Sequence, residues 1–501
     1  MDDKEKYIGI TFGPITRVTG SVKSTKALWA SSFFFSYLAR EIIRNFKGRE
    51  FVYPLVNDEL INRRDGIGNF PDRYIFKSKP GDFDKLEKYI EDVIGTIAEG
   101  IALTIKKTPE DVKVFLKNYI KIYAFEKEPT QPKENEVMNI PDEFKDLFDL
   151  LEAQDNYNYE EKENYLLQFF EDKKLYDSFL TDAAFDDKTY FTALDDIAKA
   201  ECSLNRVVKP MAYHNYIVII KSDGDNMTNT IKSLLDKGKS VQELSKALAR
   251  FGKNVSDIVK RYGARLIFLG GDDVLIFAPV KYGEVTFFDL IQNINSCFDK
   301  CFNSDMDCTD KCILAGKNLC ASEVTKFSSA PTLSFGVAIT YYKHPMGETL
   351  ELAEELLTKA KYGFDKSKNR LACRLQKHSG QTSSFYMKKD WDSYPMALRL
   401  VKMFIGYSER TLSSLTHWIT RNGQLLCLIL QEDVTVRRSR IEAYFDNSLD
   451  EDIHLIKSSF LTAIQEFILS VYDDTLNAQT AIETTVSLLR IIHFINTKND
   501  D

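Results

Sequence analysis

Two short acidic motifs carry the strongest chemical signal in this chain. SDGDN at residues 222–226 follows the apolar run YIVII, and LGGDDV at residues 269–274 sets a Gly-Gly turn between RLIFL and VLIFAPV. The first motif is expected to put Asp223 and Asp225 just beyond the end of a strand, and the second to put Asp272 and Asp273 in a hairpin turn. Carboxylates buried at strand ends are costly unless paired or bound to a cation. Three or four of them converging repel one another, and a divalent metal resolves that conflict. Hard oxygen ligands with no histidine nearby favour Mg²⁺ or Mn²⁺. Gly270 and Gly271 would let backbone and a triphosphate approach closely. The layout suits two-metal nucleotidyl transfer, in which the metals activate an attacking 3′-hydroxyl and stabilise the leaving pyrophosphate. A lone Gly-Asp turn could equally be a plain chain reversal. The DGD motif upstream makes the catalytic reading the stronger one.

The composition bounds the rest. The chain has 501 residues and a net charge of −8, which argues against a protein that coats nucleic acid non-specifically but allows a local basic groove. At ~100–200 residues per domain, this length corresponds to roughly three or four structural units. No apolar run approaches the ~18–20 residues of a membrane span, and the start MDDKEKYIGI has no signal-peptide core, so a cytoplasmic chain without membrane association is expected. The first of six histidines is His214, which excludes any His-dependent site in the N-terminal two-fifths. Five of eight cysteines fall between Cys297 and Cys320, spaced C-x3-C-x6-C-x3-C-x7-C. In a cytosolic chain such a cluster holds metal or stays reduced rather than forming disulfides. Cys297, Cys301, Cys308 and Cys312 could bind structural zinc tetrahedrally. Their spacing departs from the usual C-x2-C knuckle, so plain reduced cysteines are the alternative.

The elements that must position the acids follow from periodicity. YIGITFG, EFVYPLV and RYIFKSK are strand-like, while SVKSTKALWASSFFFSYLAREIIRNF and DKLEKYIEDVIGTIAEGIALTI have helical spacing. Their order describes a first α+β domain over residues 1–127. Residues 128–205 change composition and are expected to form an acidic helical insertion with Phe144, Phe148, Phe169 and Phe170 facing its core. A second unit of similar element order spans residues 206–383, with the cysteine-rich insertion 297–320 inside it, which suggests an ancient duplication. From about Ser384 to residue 501 the chain is expected to be helical again.

These motifs resemble a known family, the large subunit of type III CRISPR effector complexes, and in particular its III-B form with a GGDD palm polymerase. GITFGPITRVTGSVKSTKALWASSFFFSYLA resembles the start of that family's first palm, and GNFPDRYIF a segment within it. SDGDNM, GGDDV, LSFGVAITYYKHP and KNRLACRLQKHSG match the second palm in order and spacing. The resemblance implies an α+β fold with two ferredoxin-like palm (cyclase/polymerase) domains plus a helical insertion and a C-terminal helical domain, only the second palm bearing metal ligands. By matching position, Asp223 and Asp272 would be the principal ligands, Asp273 the neighbouring acid, and Asp225 a ligand or a group behind the ligands. Lys361 sits where related palm cyclases place a triphosphate-binding lysine, with a solvated helix lysine as the alternative. Ser334 and Gly336 would lie on the strand beside GGDD and leave room for a nucleotide, simple strand packing being the alternative. Ser32 of the first palm would contact the acceptor nucleotide.

Relatives commonly carry an N-terminal HD nuclease domain, which this sequence, without a histidine before His214, is expected to lack. The implied activity is a target-RNA-activated, metal-dependent nucleotidyltransferase that makes a second messenger from ATP, a 3′–5′ cyclic oligoadenylate. Two alternatives stay open: adenylation of S-adenosylmethionine to SAM-AMP by the same site, and an inactive scaffold. The implied partners are the other subunits of the complex, guide RNA and target RNA.

Overall fold

The computed structural model describes residues 5–130, 139–153, 163–185, 193–204, 211–303, 331–363, 367–448 and 458–498. In the N-terminal sheet, β1 (Tyr7–Gly13), β2 (Phe51–Tyr53), β3 (Arg73–Lys77) and β4 (Lys121–Lys127) lie in the order β2-β3-β1-β4, with β1 antiparallel to both its neighbours. The helix Thr25–Arg44 crosses from β1 to β2, and Asp82–Ile105 lies between β3 and β4. This is the ferredoxin-like arrangement. Its core is made where β1 (Ile8, Ile10, Phe12) meets Trp29, Phe34 and Leu38 of the first helix.

The second sheet holds β5 (Tyr216–Asp225), β6 (Arg265–Gly270) and β7 (Asp273–Pro279). A small ribbon of β8 (Lys281–Tyr282) and β9 (Val285–Thr286) follows, and then the sheet strands β10 (Thr332–Tyr341), β11 (Arg370–Gln376) and β12 (Thr382–Lys388). The strand order is β12-β11-β10-β5-β7-β6, antiparallel except for β10 and β11. Leaving aside β11 and β12, the order β10-β5-β7-β6 repeats that of the first sheet strand for strand. The two halves thus share a topology, as their element order suggested.

Two helices follow SDGDN, Met227–Asp236 and Gln242–Arg261, with Gly238 in a left-handed turn between them. Two local expectations are revised. The segment after Thr382 is not yet helical: Ser383, Phe385 and Met387 are buried in alternation, and the period of two makes β12 an edge strand. The helices begin at Ser393. Finally, β5 runs on through the acids, because β10 pairs with it down to Thr332 opposite Asp225.

The aromatic residues of the acidic segment are core-facing, as expected: Phe144, Phe148, Phe169 and Phe170 are all buried. Phe144 and Phe148 cover the outer face of the first sheet, where a Cβ at Gly9 would collide with the Phe144 ring. C-terminal helices pack on one another and on β12 through the helix Ala478–Asn496. Among the described residues no helix is long and apolar enough to cross a membrane.

Candidate active site

β5 is the central strand of the second sheet, flanked by β10 and β7. Its run Ile217–Ile220 is almost wholly buried, which fixes the strand and delivers the acids at its end to one place. On the β7 side, Gly271 and Asp272 form a two-residue turn, closed by the pairing of Gly270 with Asp273. Gly271 has φ +69°, a conformation that glycine adopts without strain. A second glycine is demanded by proximity. A Cβ at Gly224 would run into the Asp272 carboxylate, 2.8 Å from the Asp272 Cβ. The glycine inside DGD is therefore what lets the two motifs close on each other.

The electrostatics record how closely three acids are brought together. Asp272 is pushed up to about 6 by burial and by the charge of Asp223, against the pull of backbone hydrogen bonds and Lys361. Asp273 is pushed up to about 8 by burial and by the charges of Asp223 and Asp272, and it shares a hydrogen bond with Asp223. Two carboxylates at hydrogen-bond distance need a proton or a cation between them. The donor set of Asp223, Asp272 and Asp273 is all hard oxygen and carries excess negative charge, which fits Mg²⁺ or Mn²⁺ chemically. The side chains do not yet stand as a ready cage: among the described residues no three His, Cys, Asp or Glu side chains are grouped closely enough to hold a metal ion. The Lys361 ammonium accounts for part of this, since it is paired with the Asp223 carboxylate and donates to the Gly224 carbonyl at 3.1 Å.

Lys361 is thus no solvated helix lysine. It projects from the helix Met346–Tyr362 and is only 6% exposed. Burial lowers its pKa, but the hydrogen bond and charge of Asp223 outweigh that and raise it, so it stays an ammonium. Gly270 and Gly271 sit in the hairpin at the acids. Asp225 departs from its three neighbours: it is fully buried and its Oδ2 accepts from Thr332, Ser334 and the Asn369 backbone, away from the hairpin. Ser334 is committed to that network and is itself fully buried. Gly336 serves packing, because a Cβ there would strike the backbone of the helix at Ala353 and Leu357. Ser32 is buried in the helix Thr25–Arg44, which contacts β6. Cys297 and Cys301 are buried side chains one turn apart on the helix Phe287–Asn303, packed in the main core. Cys308 and Cys312 lie outside the described residues, so the tetrahedral zinc set is not assembled from those that are.

One residue that sequence reasoning passed over reaches the site from the first sheet. Tyr53, at the end of β2, places its hydroxyl 3.9 Å from where a Gly271 Cβ would be. Its pKa is raised by burial and then by the charges of Asp272, Asp72 and Asp273. The segment EFVYP carries no motif that would have singled it out.

The geometry defines a protein with two ferredoxin-like palm folds and one acidic site on the second. Residues 216–372, which include every acid of the site, match the family described as Cas10/Cmr2, second palm domain. The CRISPR system Cmr subunit Cmr2 of Pyrococcus furiosus is 36% identical over 146 residues, a match covering 29% of this chain and 13% of that relative's length. The Csm1–Csm4 cassette in complex with one ATP superposes with a TM-score of 0.54 at 11% identity, covering 98% of this chain and 70% of that one. The same cassette in complex with cA4 gives 0.51 at 12% identity, over 98% and 70%. Csm1 of T. onnurineus gives 0.51 at 11%, over 99% and 70%. Residues 216–372 are thus similar to the second palm domain of the Cas10/Cmr2 family, and the solved structures share the fold of the chain.

Proposed function

We propose that this chain is a target-RNA-activated nucleotidyltransferase that makes a 3′–5′ cyclic oligoadenylate from ATP within a type III CRISPR complex. The observation that carries the reading is the convergence of Asp223, Asp272 and Asp273 at the β5 end and the β6–β7 hairpin, where the charge of Asp223 opposes ionisation of both hairpin acids and a Cβ at Gly224 would strike Asp272. The similarly folded Csm1–Csm4 cassette is known with ATP, pppApA and cA4, a donor, an intermediate length and a cyclic product of such a reaction.

Asp223, Asp272 and Asp273 would hold the divalent cations, which in such sites acidify the attacking 3′-hydroxyl and neutralise the leaving pyrophosphate. The step forms a bond from that oxygen to the α-phosphorus and breaks the bond to pyrophosphate. Gly270 and Gly271 leave the hairpin without side chains, so backbone N–H groups can approach a triphosphate. The Lys361 ammonium is already beside the acids and would turn from Asp223 to the phosphates when a nucleotide enters. Tyr53 presents its hydroxyl from the first palm, on the side where an acceptor nucleotide would lie. Other subunits, guide RNA and target RNA are the proposed partners, and one domain each is proposed for the two palms (1–127, 206–383), the insertion (128–205) and the C-terminal helices (384–501).

The test is product identification from the reconstituted complex with target RNA, Mg²⁺ and ATP, with and without S-adenosylmethionine. A cyclic oligoadenylate mass, unchanged by S-adenosylmethionine, is expected. A SAM-AMP mass would transfer the same site to the alternative chemistry, and no product from any ATP would leave a scaffold.

A further inference from the structure

We infer that Asp225 is a positioning residue that aims the acidic site, and not one of its cation ligands. The inference rests on the cation reading of Asp223, Asp272 and Asp273 given above. Asp223 and Asp225 lie two residues apart on β5 and so share one face of the sheet, yet they lean to opposite sides. Asp223 leans toward β7, where it meets Asp273. Asp225 leans toward β10. Its Oδ2 accepts from Thr332 Oγ1 at 2.9 Å, Ser334 Oγ at 2.8 Å and the Asn369 N–H at 2.9 Å. Its other oxygen, Oδ1, is buried without a hydrogen-bond partner. A carboxylate with one oxygen saturated and the other sealed in the protein presents nothing to a cation in the hairpin.

The buried charge is instead balanced from within. Lys361, held first by Asp223, and Lys389, held first by Asp299, each also feel Asp225 as an opposite charge. Lys389, just past the end of β12, is half-buried, its ammonium donating to Asn295 Oδ1 and lying 5.0 Å from the centre of the Phe335 ring. Its backbone N–H donates to the Asn369 carbonyl at 2.8 Å. Asn369 itself is held at φ +67°, just before β11 starts. The Ser334 hydroxyl extends the clasp, since it also accepts from the backbone of Asn369 at 3.1 Å and of Arg370 at 3.3 Å. One carboxylate therefore ties the ends of β5, β10, β11 and β12 together. Ser334, its partner, stands opposite Asp223 in the β5–β10 register. The clasp fixes the strand end from which Asp223 faces the hairpin, and it anchors the chain that leads away from Lys361.

The test uses the full-length chain, with Mn²⁺ affinity measured by electron paramagnetic resonance and turnover measured in the complex. Asp225→Asn keeps an acceptor at the clasp and is expected to hold Mn²⁺ affinity within about threefold of wild type, whereas Asp223→Asn and Asp272→Asn lose at least ~10-fold. Asp225→Ala and the pair Thr332→Val/Ser334→Ala are expected to lower kcat by ~10–100-fold, with Asp225→Asn recovering most of it. Faster hydrogen exchange at residues 332–336 and 369–371 should accompany the kcat loss. A fall in Mn²⁺ affinity in Asp225→Asn equal to that in Asp223→Asn overturns the assignment while leaving the cation site standing. Absence of any Mn²⁺ binding by the wild type overturns both.

Discussion

Replacing Asp272 by Asn should make the metal-free protein more stable at neutral pH, at the expense of its chemistry. The folded chain holds the Asp272 carboxyl at about 6, against an ordinary 3.8, first through burial and then through the charge of Asp223. At about 1.36 kcal/mol per pH unit, that difference amounts to ~3 kcal/mol. The hairpin is partly open to solvent, and screening reduces the figure to about 1–2 kcal/mol. The sign follows from proton uptake. A carboxyl whose folded pKa is raised contributes stability below its ordinary pKa and loses it as pH rises through about 6. Asn carries no charge at any pH, so the advantage of the variant should be negligible near pH 4, grow through pH 5 and 6 and level off by about pH 7. In thermal unfolding of the chain with a chelator present, the gain at pH 7 should be roughly 1–2 °C in Tm. Saturating Mn²⁺ should narrow or reverse it, because only the wild type offers a cation all three carboxylates. A variant no more stable than wild type at pH 7, or a gain of equal size at every pH, would refute the claim that charge repulsion governs this hairpin.

Three further substitutions probe other parts of the account. Gly224→Ala drives a Cβ into the Asp272 carboxylate and should cost about 1–3 kcal/mol of strain together with at least a tenfold loss of turnover; full activity would show that the two motifs have room to spare. Lys361→Met removes the ammonium from Asp223 and should raise the KM for ATP more than it lowers kcat, so an unchanged KM would argue against a role at the triphosphate. Gly336→Ala presses on the backbone of the helix Met346–Tyr362 and should lower stability in chemical denaturation by about 1–3 kcal/mol, with equal stability contradicting the packing role.

Much of this was legible in the sequence, and the exceptions have physical reasons. The strand YIGITFG and the helix ending at Ile105 are where their periodicity puts them, because single-face burial leaves a clear period. The β12 strand was misread as the approach to a helical region because its outward positions, Ser384, Tyr386 and Lys388, interrupt the apolar signal on an edge strand. At the site, residue type pointed to the acids that the fold brings together, but not to which way each one leans. Asp223 and Asp225 look equivalent in DGD, and only the pairing of β10 with β5 shows that one meets the hairpin and the other meets Thr332 and Ser334. Ser334 and Gly336 were read as room for a nucleotide because small residues on a strand near a site suggest space; here a hydroxyl is needed to hold Asp225 and a hydrogen to admit a helix. Tyr53 was invisible for a different reason: the hairpin residues it meets, Gly271 to Asp273, lie more than two hundred residues away in the chain, a contact that no local pattern encodes.

The most direct test of the central claim is pyrophosphate release from ATP by the assembled complex, with target RNA and Mg²⁺ or Mn²⁺, comparing wild type with Asp272→Ala/Asp273→Ala. Release is expected to depend on both target RNA and metal, and to be abolished in the double variant while the complex still assembles. Unchanged release from the double variant would contradict it.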